Sequence, residues 1–428
     1  MKRLGYRKSR KGCIRCKQRR VKCDENAPCS ACIRHEVPCS LEPPLAASTE
    51  LPRSHPRTLA REEQIHLTTS PSEPGNGHPS SSPTAGLFSY LSHVQYGSPG
   101  LSDSQDWILD IELMHHYTAE GHRTLHTPCH HDTEVLQNDI PHEGLSQPFL
   151  LHQILAFSAL HLAYLSPERR HKYLIQASKH QGVAISIMNS MLAKSWDPEA
   201  CHALYGTSIF LAISAFGTLP SCDRYNTFQA IDSLVDIFVL ARGMNTILRS
   251  SEEDIRKGPL GKLMAGCDCE SATPSSYLAE LMPQLKELLT QLDEQTPDVS
   301  EDKRTTLTET LGSLVETIQI AGSNKRARSF LEQRVIFGWP MRVPSTFLIL
   351  LRNKDPLAMV VISHYCVLLK SGETKCWYFE GWASVLMKPI VASVAGTPWE
   401  ELIKWSTETI ESMASKTTES RNQYNSKY

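Results

Sequence analysis

The sequence predicts three parts in series: a small cysteine-stapled α domain, a disordered linker and a large all-α body. Three observations predict this. Six of the thirteen cysteines fall between residues 13 and 39. Residues 40–105 are rich in Pro, Ser, Gly and Thr. From residue 106 onward, apolar residues recur at helical spacing with no alternating strand pattern of any length.

At 428 residues the chain is long enough for two or three domains and a sizeable core. Its formal net charge of −2 hides a division. Residues 1–39 hold twelve Lys or Arg against three acids, a net of +9, which leaves −11 for the remainder. A small basic head on an acidic body suggests a polyanionic partner for the head alone. The first residues, "MKRLGYRKSRKG", lack the apolar core of a secretion signal. The longest apolar run, Phe149 to Leu165, is interrupted by His152, Gln153, Ser158 and His161 and reads as too short and too polar for a membrane span. The expectation is an intracellular chain with reduced thiols, in which clustered cysteines bind metal. Residues 1–12 form a basic arm (Lys2, Arg3, Arg7, Lys8, Arg10, Lys11) suited to nuclear import or to phosphate contact.

The head spans residues 13–39. Its cysteines, Cys13, Cys16, Cys23, Cys29, Cys32 and Cys39, are spaced C-x2-C-x6-C-x5-C-x2-C-x6-C, two copies of one unit joined by five residues. Zinc takes four tetrahedral ligands, and a C-x2-C pair chelates one ion in a tight turn. One four-cysteine site would leave Cys23 and Cys39 idle, and two separate sites would need eight ligands. Two Zn2+ sharing two bridging thiolates satisfy the count. Six thiolates and two Zn2+ sum to −2, which the surrounding Lys and Arg would offset. The two copies differ in charge. The first x6 segment, "KQRRVK", holds Lys17, Arg19, Arg20 and Lys22; in the second, "IRHEVP", Arg34 and Glu36 cancel and Pro38 ends any helix. Only the first is charged for a phosphate backbone, the main source of DNA affinity, and Arg can read guanine edges bidentately.

In this spacing, its basic segment and the loop proline Pro28, the head resembles the fungal binuclear zinc cluster DNA-binding domain of the galactose-regulator type. The resemblance implies that Cys13 and Cys29 bridge both metals, with Cys16 and Cys23 completing one site and Cys32 and Cys39 the other. It also implies base contacts from Arg19 and Arg20 to a CGG-type triplet, and phosphate contacts from Lys17 and Lys22. Pro28 directly precedes Cys29, one residue later than is common in the family. A zinc-stapled protein-interaction module without a DNA role is the competing class.

The linker, residues 40–105, includes "TTSPSEPGNGHPSSSPTAG", which cannot bury enough apolar area to offset its ordering entropy. No sustained heptad follows the cysteines, so monomer and homodimer both stay open.

The body, residues 106–416, carries successive helical patterns. "WILDIELMHHYTAEG" is followed by "SQPFLLHQILAFSALHLAYLSP", apolar nearly all round, with Pro148 in its first turn and Pro167 past its end. Next come "ERRHKYLIQASKHQGVAISIMNSML", "EACHALYGTSIFLAISAFG" and "FQAIDSLVDIFVLARG", the last expected to close at Gly243. "SYLAELMPQLKELLTQLDE", "TTLTETLGSLVETIQIAG", "DPLAMVVISHYCVLLKSG" and "WASVLMKPIVASVAG" follow, and residues 417–428 read as a disordered tail. The blocks "ELMHHYT", "LLHQILAFSALHLAYLSPERRHKYLIQASKH", "ARGMNTIL" and "PLAMVVISHYCVLLKSGETKCWYFEGWASVL" resemble the regulatory region of fungal sterol-uptake regulators and their relatives. That resemblance implies a helical domain that binds a small hydrophobic effector and recruits transcription machinery; secondary-metabolite cluster regulators share the branch.

Other clusters read as structural. The histidines between 115 and 131 with Cys129 are expected on the surface, Cys267 and Cys269 as a reduced loop pair, and His364, Tyr365 and Cys366 on a core face. Trp377, Tyr378, Phe379 and Trp382 are expected in the core rather than around a ligand. The stretch 251–316, net −8, reads as a solvated acidic surface. No G-x-S-x-G, Walker A, dinucleotide or H-E-x-x-H motif occurs. The sequence therefore reads as a nuclear, DNA-binding regulator and not an enzyme, with two Zn2+ as its cofactors.

Overall fold

The computed structural model describes residues 13, 16–17, 23–24, 29–30, 32, 40, 103–125, 133–193, 200–222, 229–264, 276–294, 299–323 and 331–425. The chain divides into two compact units, 1–77 and 78–428. The expected linker lies almost wholly outside the described residues, as do Cys129, Cys267 and Cys269.

In the second unit every regular element among the described residues is helical. In chain order these are α1 (Asp103–Ala119), α2 (Ile140–Ser146), α3 (Pro148–Leu165), α4 (Arg170–Leu192), α5 (Cys201–Ser221), α6 (Ala230–Lys257) and α7 (Pro259–Met264). After them come α8 (Ser276–Glu294), α9 (Glu301–Ser323), α10 (Leu331–Gly338), α11 (Ser345–Arg352), α12 (Pro356–Gly372), α13 (Trp382–Val394) and α14 (Lys404–Asn425). Short 3-10 turns at Gly121–Leu125, Trp377–Phe379 and Glu400–Ile403, and a π turn at Val135–Asp139, link them.

Three helices that are apolar on nearly every face form the centre. α3 packs on α4 and α5, α5 also packs on α6, and α12 sits among α8, α10, α13 and α14. α3 and α5 are long and apolar enough to cross a membrane, which the interrupting polar residues of α3 had argued against. Here they are core helices: most of each is buried within the body, and several of their polar side chains bond to neighbouring elements there. Ser158 Oγ donates to the Leu113 carbonyl and Ser221 Oγ to the Leu160 carbonyl at 2.8 Å. α12 starts where the sequence says it should. Pro356 occupies the first turn, and the Asp355 carboxylate accepts from the Leu357 and Ala358 amides at 3.1 and 3.2 Å.

The aromatic residues weld these layers. Phe238, Trp339 and Tyr365 meet edge-on or tilted within 5.5 Å. Tyr378, Phe379 and Trp382 are fully buried, and Trp382 donates Nε1–H to the Phe216 carbonyl at 2.8 Å, so the aromatic cluster is core as its composition suggests. His364 and Cys366 are core residues too: the His364 ring bonds the Val360 carbonyl at 3.0 Å, and burial pushes the Cys366 thiol far up.

Several boundaries differ from the sequence reading. α6 does not close at Gly243 but runs on to Lys257. Gly243 is exposed and keeps a helical backbone, while Met244 and Ile247 continue the buried stripe past it. The irregularity comes later, at Ser251 (φ −142°, ψ 26°). α14 extends to Asn425, nine residues into the expected tail. α1 begins at Asp103, three residues before the expected body. Among the histidines expected on the surface, His122 is buried, its Nδ1 bonded to the Tyr117 carbonyl at 3.0 Å.

Candidate metal centre and nucleic-acid face

The first unit has too few apolar residues to hold itself together. Its buried residues among those described are five cysteines, Cys13, Cys16, Cys23, Cys29 and Cys32. A core made of thiols is a core made for metal.

Local backbone geometry turns the sulfurs inward. In each C-x2-C pair, the second amide faces the first sulfur: Cys16 N to Cys13 Sγ at 3.2 Å, and Cys32 N to Cys29 Sγ at 3.4 Å. The Lys17 amide closes the same turn on the Cys13 carbonyl at 3.1 Å. These matching turns are the structural form of the sequence repeat. Between them, the Asp24 carboxylate accepts from the Ser30 amide at 3.1 Å, tying the five-residue connection to the start of the second turn. Sequence reasoning passed over Asp24; an acid directly after the third cysteine, in so basic a stretch, was the available signal.

The two pairs then face each other. Cys13 Sγ lies 3.8 Å from Cys29 Sγ and 3.6 Å from Cys32 Sγ, and Cys16 Sγ lies 3.6 Å from Cys29 Sγ. Zinc–sulfur bonds of about 2.3 Å in a tetrahedron set sulfur–sulfur edges of about 3.8 Å. The sulfurs are therefore already at coordination spacing. Cys13, Cys16, Cys29 and Cys32 form one group whose ligand atoms lie within 4.8 Å of one another, and Cys23, Asp24 and Cys29 form a second. Cys29 belongs to both. Cys23 also approaches Cys13, whose amide donates to Cys23 Sγ at 3.4 Å.

The thiols do not share one proton affinity. The Cys16 amide, donating to its sulfur, holds Cys13 down to about 6, whereas burial pushes Cys16 and Cys29 up. Packed thiolates repel one another, and cations between them are what lets all of them ionise together.

Lys17 is exposed on the helical turn that begins at Cys16. Arg19, Arg20, Lys22 and Cys39 lie outside the described residues. In the body, no three His, Cys, Asp or Glu side chains among the described residues bring one ligand atom each within 4.8 Å of one another.

Residues 11–48 match the fungal Zn(2)-Cys(6) binuclear cluster domain. Over 438 aligned positions the chain is 24% identical to a Zn(2)-C6 fungal-type transcription factor of Gibberella zeae, covering 94% of this chain and 86% of that one. Over 229 residues it is 31% identical to the Zn(2)-C6 fungal-type transcription factor afumD of Aspergillus fumigatus, covering 51% and 49% of the two chains. It is 27% identical over 306 residues to sterol uptake control protein 2 of Candida albicans, covering 65% of this chain and 39% of that one.

Proposed function

We propose that the chain is a Zn(2)-C6 fungal-type transcription factor whose cluster domain, matched over residues 11–48, binds two zinc ions, and that it reads CGG-type triplets in nuclear DNA and regulates a biosynthetic gene cluster for secondary metabolism. The reading rests above all on one observation: four cysteine sulfurs stand at tetrahedral edge distances, on turns that carry an exposed lysine.

The division of labour follows from the charge asymmetry. The bound zinc ions supply a rigid fold that a 27-residue head could not otherwise hold. Cys13 and Cys29 open the two repeats and bridge the metals; Cys16 and Cys23 complete one site, Cys32 and Cys39 the other. Lys17 and Lys22 contact phosphates, which position the domain without reading sequence. Arg19 and Arg20 contact guanine edges, where a bidentate pair discriminates by ~1–3 kcal/mol. The helical body, net −11 together with the linker and tail, takes a small hydrophobic effector and engages transcription machinery. Likeness to a sterol uptake control protein favours a sterol-responsive lipid-gene regulator as the second reading.

The test uses the full zinc-loaded chain on labelled duplexes with CGG or a scrambled triplet across a salt series. Preference for CGG with a steep loss of affinity as salt rises is the expected result. Equal, salt-insensitive binding would instead promote the protein-interaction module. Chromatin occupancy then separates the pathways, a contiguous biosynthetic cluster from dispersed sterol genes.

A further inference from the structure

Four histidines outside the zinc cluster sit at helix–helix contacts, His161 and His180 buried and His116 and His152 half-buried. His116 on α1 meets His161 on α3, Nε2 to Nδ1 at 3.0 Å. His152 on α3 meets His180 on α4, Nδ1 to Nδ1 at 2.9 Å. His180 Nε2 then reaches Asp110 on α1 at 3.0 Å. Each of the three helix pairs is thus joined by a histidine contact, and the ring closes on itself.

We propose that the docking of α1 on α3 and α4 is a proton-operated joint, closed at neutral pH and opened when acidification puts charge on these interhelical pairs.

Hydrogen-bond valence supplies the reason. A neutral imidazole offers one N–H and one lone pair. Asp110 accepts, so His180 carries its proton on Nε2 and presents a lone pair at Nδ1, to which His152 donates. The His116–His161 bond likewise needs one donor and one acceptor. One added proton per pair can be shared; a second leaves two donors face to face. Burial holds all four rings below the ordinary histidine range, His161 at about 3.

His116 is faced by Glu112 and His115 on its own helix, by Glu120 in the turn just past it and by His161 on α3. His161 stacks on Trp377 at 4.9 Å and is opposed by His116. His180 is faced by Asp110 from α1, His152 from α3 and Lys179 beside it. His152 feels Asp110. The acids favour protonation, but burial outweighs them at each ring. A depressed folded value means that the undocked form takes up protons first. Docking is therefore at full strength above about 6.5 and weakens continuously as pH falls below it.

Attachments that carry no histidine keep α1 tethered, among them the Ser158 hydroxyl on the Leu113 carbonyl. Glu112 accepts two guanidinium bonds from Arg169 at 2.7 and 2.9 Å and one from the Tyr173 hydroxyl. Asp106 accepts from Lys179 at 3.0 Å. Opening is accordingly local. The apolar footing it disturbs is Leu109 and Leu113 against Leu155, Leu160 and Tyr173, a small separate cluster, whereas Tyr117 near the carboxyl end of α1 sits in the main core against Phe157 and Phe210 and anchors that end.

Amide hydrogen exchange of the full zinc-loaded chain tests this, at pH 7.5 and 5.2 with rates corrected for intrinsic exchange. At pH 5.2 each ring kept neutral weakens docking by up to roughly twentyfold, so the protection of α1 should fall at least roughly tenfold between the two pH values. A double variant, His116→Gln with His161→Asn, should hold α1 at pH 7.5 and flatten that loss. Protection of α1 that does not change with pH, or an unchanged response in the double variant, would overturn the joint. If the variant does not fold, ring titration of the native chain by NMR decides. Four histidines titrating near 6.5 would refute the proposal, and His161 staying neutral below pH 5 supports it.

Discussion

Cys13 and Cys29 open the two copies of the cysteine repeat, and their sulfurs lie 3.8 Å apart, one tetrahedral edge. Each also approaches ligands of the other copy: Cys13 lies 3.6 Å from Cys32, and Cys29 lies 3.6 Å from Cys16. Two sulfurs so placed can each serve two metals. Cys13→Ala should then cost more than one ligand's worth of binding. Metal analysis of the purified chain after dialysis against a weak chelator should find fewer than two zinc equivalents and an unfolded head. Two retained equivalents would contradict the bridging assignment.

Lys17 faces solvent one residue past the Cys13–Cys16 turn, held there through its own amide on the Cys13 carbonyl. A side chain aimed by the backbone rather than by a neighbour suits a phosphate. Lys17→Ala should weaken CGG and scrambled duplexes alike and reduce the magnitude of the log–log salt slope by about 1. A loss confined to the CGG duplex would make Lys17 a base reader. Arg20→Ala, in contrast, should narrow the difference between the two duplexes.

Trp382 is among the largest fully buried side chains, and it closes the α5–α13 contact with its ring against Phe216 at 5.4 Å and its Nε1–H on the Phe216 carbonyl. Trp382→Ala should destabilise the body by ~3–5 kcal/mol, as expected for removing a buried aromatic. Trp382→Phe retains most of the ring but leaves that carbonyl without its donor, a loss of ~1–3 kcal/mol. Urea denaturation followed by far-UV circular dichroism would rank the two. Equal losses would mean that the ring's packing contributes nothing beyond the hydrogen bond.

What the sequence made legible depends on how local the cause is. Pro148 and Pro167 bracket α3 because a proline's effect is confined to its own turn. The cysteine spacing foretold the gathered sulfurs because a C-x2-C chelate is fixed within four residues. Gly243 misled because an exposed glycine costs a helix only about 1 kcal/mol, and the buried stripe from Met244 to Ile247 overrides it. α10 and α11, eight residues each, went unseen because so short a helix completes only about two turns of its pattern; Trp339 just past α10 and Phe347 within α11 anchor them in the core. The histidine contacts were invisible for a different reason. His116 and His161 stand 45 residues apart, and only the crossing of α1 over α3 makes them neighbours.

Asp355 joins a local signal to a distant one, and its substitutions separate the two. Its carboxylate caps α12 by accepting from Leu357 and Ala358, and also takes an ion-pair hydrogen bond from Lys303 of α9 at 2.5 Å. α12 is the most completely buried helix of the carboxyl-terminal half, so fraying its first turn disturbs packing on several sides. Asp355→Ala removes both roles and should destabilise the body by ~1–2 kcal/mol, the upper part of the range for a lost N-cap. Asp355→Asn preserves the cap and removes only the charge pair, which at a partly exposed site contributes well under ~1 kcal/mol. Thermal melts of the two variants should therefore separate clearly, with Asn close to the native chain. If Asn proved as damaging as Ala, the tie between α9 and α12 through Lys303, rather than the cap, would be what holds this end of the helix in place.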